Sequence, residues 1–294
     1  MWMETLKRYI QNQSQWMIHA DADGRGFFLK NEQESFMRKK QMYTDRKAFI
    51  VNNQANGSVL RTTETEDKIH VDYLVHYSFL IKHGFDFYVE EMSQERRAIF
   101  FQDGEMKSDE PVNAEGNYRE LPKIERENES IAPTKGGYDR LAAVRYAERW
   151  WNTFNPAYKS FENDCTNYIS QSIHAGGIPM TPQSIKSKGW WMRNNSWSYS
   201  WSVANALRWY LSGSKSSLQA QEKSAAHLLL PGDVICYDFD GDGHYQHTTI
   251  VVAKDPSGEP LVNAHTTNSR MRYWGYEDST AYTKRIQYKF FHIL

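Results

Sequence analysis

Between Asn113 and Gly137 charge, proline and glycine crowd together and no apolar periodicity survives, so neither an amphipathic helix nor a half-buried strand can be written through the stretch. The chain is therefore expected to fold as two bodies: a small α+β domain over residues 1–112, a linker over 113–137, and a second α+β domain over 138–294. Composition agrees with that division. Residues 138–294 carry 16 Lys or Arg against 13 Asp or Glu, while residues 1–137 carry 19 against 23, and eight of the ten tryptophans lie at or after Trp150. With 40% hydrophobic and 24% charged residues in 294, the chain can bury a substantial core, and wholesale disorder is excluded. The net charge of -1 supplies no global field for nucleic acid or an anionic membrane.

No apolar run is long enough to cross a bilayer, so no integral membrane segment is expected. The start, Met1 to Arg8, lacks the basic-then-apolar layout of a secretory signal. As written, the chain is expected in the cytoplasm; a signal removed ahead of Met1 would instead make it secreted or cell-wall associated. Two cysteines, Cys165 and Cys236, fit neither a disulfide framework nor zinc-ligand spacing, so no metal and no cofactor are expected.

In the first part, helices are expected around Met3 to Ile18 and Lys30 to Thr44, flanking a turn at Asp21 to Gly26. Alternating apolar residues predict strands over Val59 to Thr65, Lys68 to Ile81 and Phe85 to Met92. Asn56-Gly57, Glu66-Asp67 and His83-Gly84 read as turns, and Arg97 to Gln102 as an edge. Helices on an antiparallel sheet could form a cystatin-like or NTF2-like cone. No catalytic constellation stands in this part; His70, His76 and His83 read as strand histidines.

In the second part, helices are expected over Tyr138 to Trp151, from about Asp164 to a stop at Gly176-Gly177, and over Trp197 to Leu211. The period then changes to two, predicting strands over Asp233 to Phe239, Gln246 to Lys254, Glu259 to His265 and Lys284 to His292. Ser212 to Glu222 reads as a connector or lid.

The chemistry gathers on Cys165. A thiol in the first turn of a helix feels free backbone N–H groups and the positive end of the helix dipole, both of which favour thiolate. His247, at the entry of an apolar strand, is the natural base. Asn263 and His265 share a face of the next strand, and either can accept the second ring N–H of His247. Nucleophile, base and orienting group in that order make a cysteine-hydrolase arrangement. Asp164 is expected to cap the helix, and Gln171 to bond helix to core or loop. Trp190, Trp191 and Trp197 are candidates to line a substrate groove. Asp238 to Gly243 begins like a calcium loop, but Thr249 stands where the bidentate Glu belongs, so a tight acidic turn is expected.

Six segments resemble the putative amidase domain of bacteria, a member of the papain-like superfamily that contains the NlpC-type and CHAP hydrolases. They are Tyr138 to Ala147, Asn163 to Met180, Trp197 to Asn205, Pro231 to Ile235, His247 to Val251 and Val262 to Thr266; the run Asp164-Cys165-Thr166-Asn167 is the most specific. The resemblance implies a papain-like domain of helices packed on an antiparallel sheet. It also implies a Cys165 nucleophile, a His247 base and Asn263 as third member, with His265 the alternative. The expected activity is hydrolysis of an amide through a thioester acyl-enzyme, on cell-wall peptide or glycopeptide. A noncatalytic peptide- or glycan-binding module on the same scaffold, or an acyltransferase, is the rival reading.

Overall fold

The computed structural model describes residues 1–19, 28–112, 137–182 and 184–294. The turn expected at Asp21 to Gly26 and residues 113–136 of the expected linker lie outside them. The chain divides into two compact units, Met1–Glu115 with Tyr276–Thr280, and Gly116–Gly275 with Ala281–Leu294. Each is a mixed α/β unit built on antiparallel strands.

In the first unit, α1 (Trp2–His19) and α2 (Lys30–Asp45) precede β1 (Ala48–Glu64), β2 (Lys68–His83), β3 (Asp86–Phe101) and β4 (Met106–Pro111), which pair antiparallel in chain order. Period two is cleanest in β2: Ile69, Val71, Tyr73, Val75, Tyr77, Phe79 and Ile81 are buried and the residues between them are not. The helices contribute Leu6, Ile10, Trp16, Met17, Phe36 and Met42 to the core. Asn56-Gly57 is not a turn. The strand β1 runs through it, and a Cβ on Gly57 would stand 2.9 Å from the Ile10 side chain, so the glycine admits α1. The two stretches read as Phe85 to Met92 and Arg97 to Gln102 are one strand, β3.

Helix α2 also holds the segment Tyr276–Thr280. Arg38 donates to the carbonyls of Glu277 (2.6 Å) and Ser279 (2.8 Å), Ser35 donates to that of Asp278, and Lys39 Nζ reaches the Asp278 carboxylate at 2.9 Å. Lys39 also pairs with the buried Glu90, which accepts from the Tyr43 hydroxyl.

The second unit opens with α3 (Arg140–Trp150), capped by Asp139 accepting from the Ala142 N–H at 2.9 Å, and α4 (Cys165–Ala175), ended at Gly176 with Gly177 at φ +92°. A short hairpin of β5 (Met192–Arg193) and β6 (Ser196–Trp197) leads into α5 (Tyr199–Ser202) and α6 (Ala204–Leu211). The single helix expected over 197–211 is thus broken at Val203, whose backbone is extended (φ −127°, ψ 122°). Strands β7 (Ala220–Lys223), β8 (Val234–Asp238), β9 (His247–Lys254), β10 (Pro260–Ala264), β11 (Asn268–Tyr273) and β12 (Gln287–Ile293) follow. They lie in the order β11-β10-β9-β8-β12-β7, each pair antiparallel. Two of them were not foreseen: β11, and β7, which takes the end of the stretch read as a connector or lid. Ser216, Ser217 and Leu218 in that stretch are buried.

Alternation assigns the two sheet faces. Val234, Cys236, Ile250 and Val252 join Tyr168, Ile169 and Ile173 of α4 and Leu207 of α6 in one core, so the even-numbered residues of β8 and β9 face the helices.

Candidate active site

The helix α4 begins at Cys165 itself, and the four residues Asp164-Cys165-Thr166-Asn167 each have a defined placement. The Asp164 carboxylate makes no cap to its own helix. Instead Oδ1 accepts from the Phe161 N–H and from Asn167 Nδ2, both at 2.9 Å, and Oδ2 lies 2.8 Å from His265 Nδ1. Thr166 Oγ1 lies 3.1 Å from Thr248 Oγ1, pinning the helix start to β9. Asn167 Nδ2 donates to the Lys159 carbonyl (2.8 Å), and its Oδ1 accepts from the Trp201 ring N–H (2.8 Å). The motif is therefore a set of staples around one thiol. Gln171 bonds helix to helix, accepting from the Tyr146 hydroxyl at 2.6 Å.

The Cys165 thiol is 5% exposed, with Thr166 Oγ1 3.7 Å away. Burial pushes its pKa above the ordinary thiol range; hydrogen bonds from Thr166 and Thr248 offset only part of this. The activation expected from the helix start is thus outweighed by desolvation in the resting protein. Burial likewise raises the pKa of Cys236, fully buried on β8.

His247 and Thr248 are successive strand residues and project to opposite faces, and Thr248 is the one that meets α4. The His247 ring packs instead against Tyr237 (centroids 5.7 Å apart) and Phe239 (6.2 Å). Burial, with the Arg272 charge adding, draws its pKa down to about 3. A buried neutral histidine that gains a proton only on unfolding costs stability as pH falls below its unfolded value of about 6.5. The wild-type chain should therefore lose about 2–3 kcal/mol more between pH 7 and pH 4.5 than His247→Phe, read from urea midpoints at both pH values.

Asn263 and His265 do share the helix-facing side, but they part company there. Asn263 Nδ2 donates to Glu148 at 2.8 Å and its Oδ1 accepts from the Met271 N–H at 2.9 Å, while Glu148 also holds Arg270. Asn263 thus ties α3 to β11. His265 is buried over the first turn of α4: its ring stacks on Tyr168 (centroids 4.1 Å apart, planes at 14°), the residue one turn beyond Cys165. With Nδ1 on the Asp164 carboxylate, Nε2 lies 2.7 Å from the Trp150 carbonyl.

Asp164, Asn167, Gln171 and His265 also line a cleft with Trp150 and Tyr158. Cys165 does not line it. The groove expected from tryptophans is elsewhere assigned: Trp190 (0% exposed) and Trp191 (1%) are core, their ring N–H groups spent on Ser170 Oγ and the Lys188 carbonyl. Fully buried rings offer no face to a ligand. Trp197 is half-buried, edge-on to Phe161 with Lys186 Nζ over its ring. The buried Asp238 carboxylate accepts from the N–H groups of Gly241, Asp242 and Gly243, which organises the acidic turn.

Sequence reasoning placed His265 second to Asn263 and missed its partnership with Asp164. No spacing signal joins an aspartate before a helix to a histidine beyond a strand so far along the chain.

The family described as a putative amidase domain matches residues 137–291. The uncharacterized protein YhbB of Bacillus subtilis (strain 168) is 47% identical over 87% of this chain and 85% of its own length. The uncharacterized protein YjcM of the same organism is 32% identical over 45% of this chain and 32% of its own. No solved structure matches the chain. Among the described residues, no helix is long and apolar enough to cross a membrane.

Proposed function

Because the chain belongs to the putative amidase domain family, we propose that its second domain is a cysteine-dependent amidase or peptidase of papain-like type, joined to residues 1–112 through the linker 113–137. Cys165 is the nucleophile, and His265, oriented by Asp164, is the acid–base group. One observation carries this assignment: the residue directly before the thiol holds the imidazole that sits over the thiol's own helical turn, Asp164 Oδ2 to His265 Nδ1 at 2.8 Å. Strand alternation and the packing of His247 against Tyr237 and Phe239 favour His265 over the His247 base expected from sequence.

The Cys165 sulfur attacks the amide carbonyl as its proton passes to His265. The tetrahedral oxyanion forms next to the unpaired N–H groups of the α4 start, and the amine leaves with a proton from the imidazole. Water then hydrolyses the thioester; an amine in its place makes the reaction acyl transfer. At rest Nε2 is held by the Trp150 carbonyl, so the base step needs that bond released, and Trp150 and His265 both line the cleft a substrate would enter. Peptide or glycopeptide from the cell wall is the substrate class proposed, with no cofactor. The compartment follows from that substrate: a recycled wall fragment in the cytoplasm, or the wall itself.

A noncatalytic peptide- or glycan-binding module is the second reading, and the neutral buried thiol favours it. Initial rates on peptide p-nitroanilides separate the two. His265→Ala is expected to lower kcat by about 100- to 10,000-fold, whereas Asn263→Ala and His247→Phe keep kcat within a few-fold and lose stability. Full activity in His265→Ala with none in His247→Ala would return the base to His247. No hydrolysis by the wild type, with peptide bound, would support the binding module.

A further inference from the structure

Thr266 follows His265 directly in the turn from β10 to β11, just beyond the pair Ala264–Ser269. Two costs meet at this residue. Its φ is +90°, and among the described non-glycine residues with positive φ, which are Lys47, Asn194, Asn195, Thr266, Met271 and Tyr276, it alone is β-branched. Such a side chain is the least suited to left-handed backbone, and strain of this kind persists only where the surroundings impose it. Its hydroxyl oxygen is buried and has no hydrogen-bond partner among the described residues. A buried polar atom is ordinarily paired, and this one belongs to the residue that directly follows His265, which lines the cleft.

The first cost explains how His265 comes to lie where it does. A left-handed residue immediately after the histidine reverses the chain, and the ring is left over α4 with Asp164 at one nitrogen and the Trp150 carbonyl at the other.

We propose that Thr266 is a positioning and substrate-recognition residue: its left-handed turn sets the His265 ring against Asp164, and its open hydroxyl bonds a carbonyl or N–H of the amide substrate. The positioning half stands on geometry alone; the recognition half rests on the amidase reading.

Three substitutions in the full chain separate these roles, read by thermal midpoint, by proton NMR of the His265 ring N–H, and by kcat and KM on a peptide p-nitroanilide. In Thr266→Gly the strain goes, so the midpoint should rise by a few degrees, while the downfield ring N–H signal broadens or vanishes and kcat falls at least tenfold. Thr266→Val keeps the β-branch and deletes the hydroxyl, so the ring signal should persist and KM rise at least fivefold. Thr266→Ser should keep both near wild type. A glycine variant with a lower midpoint, or with a higher midpoint and an unchanged ring signal, would overturn the positioning role, and an unchanged KM in the valine variant would overturn recognition. If the wild type hydrolyses nothing, the amidase reading and with it the recognition half fail, while the NMR comparison still decides the positioning half.

Discussion

Cys165→Ser is expected to reduce amide hydrolysis by about 10,000-fold or more while the fold stays intact. Serine differs from cysteine by one atom, so it fills the same pocket beside Thr166 and Thr248 and the staples made by Asp164, Thr166 and Asn167 remain. What changes is the nucleophile. A hydroxyl is far less acidic, and a weaker nucleophile, than even a desolvated thiol. Cys236→Ser is the matched control. Its thiol is fully buried in the helix-facing core, so the new hydroxyl should cost about 1–3 kcal/mol in stability and leave kcat alone. Urea titration and initial rates on both variants check the pair.

The second large effect lies in the first unit. Arg96→Ala should destabilise that unit by about 3–5 kcal/mol. The Arg96 guanidinium is 2% exposed and is met by Asp109 Oδ2 at 2.7 Å, Glu32 Oε1 at 2.5 Å and Gln94 Oε1 at 2.8 Å, with the Tyr73 hydroxyl donating to Asp109 at 2.8 Å. Removing the arginine leaves the buried Asp109 carboxylate and the partly buried Glu32 without the cation that joins them. Loss of an established partner is what makes this expensive, since the uncompensated charges must be protonated or hydrated. Exchanging Arg96, Glu32 and Asp109 together for apolar residues of like volume should cost much less. Denaturation followed by the fluorescence of Trp2 and Trp16, the unit's own tryptophans, with the others replaced by phenylalanine, measures both.

The sequence shows its fold wherever one face of an element is buried and the other is not. Strand β2 reads directly for that reason, and the limits of α1, α2, α3 and α4 fall within a few residues of expectation. It fails where a distant partner decides. Gly57 resembles a turn residue because nothing nearby reveals that Ile10 will lie against it. Strand β11, Asn268–Tyr273, carries no apolar alternation and bends at Met271, whose φ is +56°, so only its pairing with β10 makes it a strand. The extended backbone at Val203 breaks what helical spacing alone would join.

The same division runs through the site. The thiol at a helix start was legible from Asp164-Cys165 ahead of an apolar-spaced run ended by Gly176-Gly177. That Cys165 would be buried enough to raise its pKa was not, because desolvation depends on the packing of β9 and α4 together. Residue type made His247 the leading base, yet strand parity decides which face an imidazole occupies, and a shift of one residue reverses it. Tryptophans suggested a groove, but Trp190 and Trp191 bury their faces and spend their N–H groups internally.

The nucleophile can be caught in the act. The full chain is mixed with a peptide p-nitroanilide, quenched in acid during the burst, digested, and read by mass spectrometry. The account predicts an acyl group on the peptide containing Cys165, none on that containing Cys236, and accumulation of the adduct when water is partly replaced by a slower nucleophile. Hydrolysis that proceeds with no adduct on Cys165, and at an unchanged rate in Cys165→Ser, would contradict it.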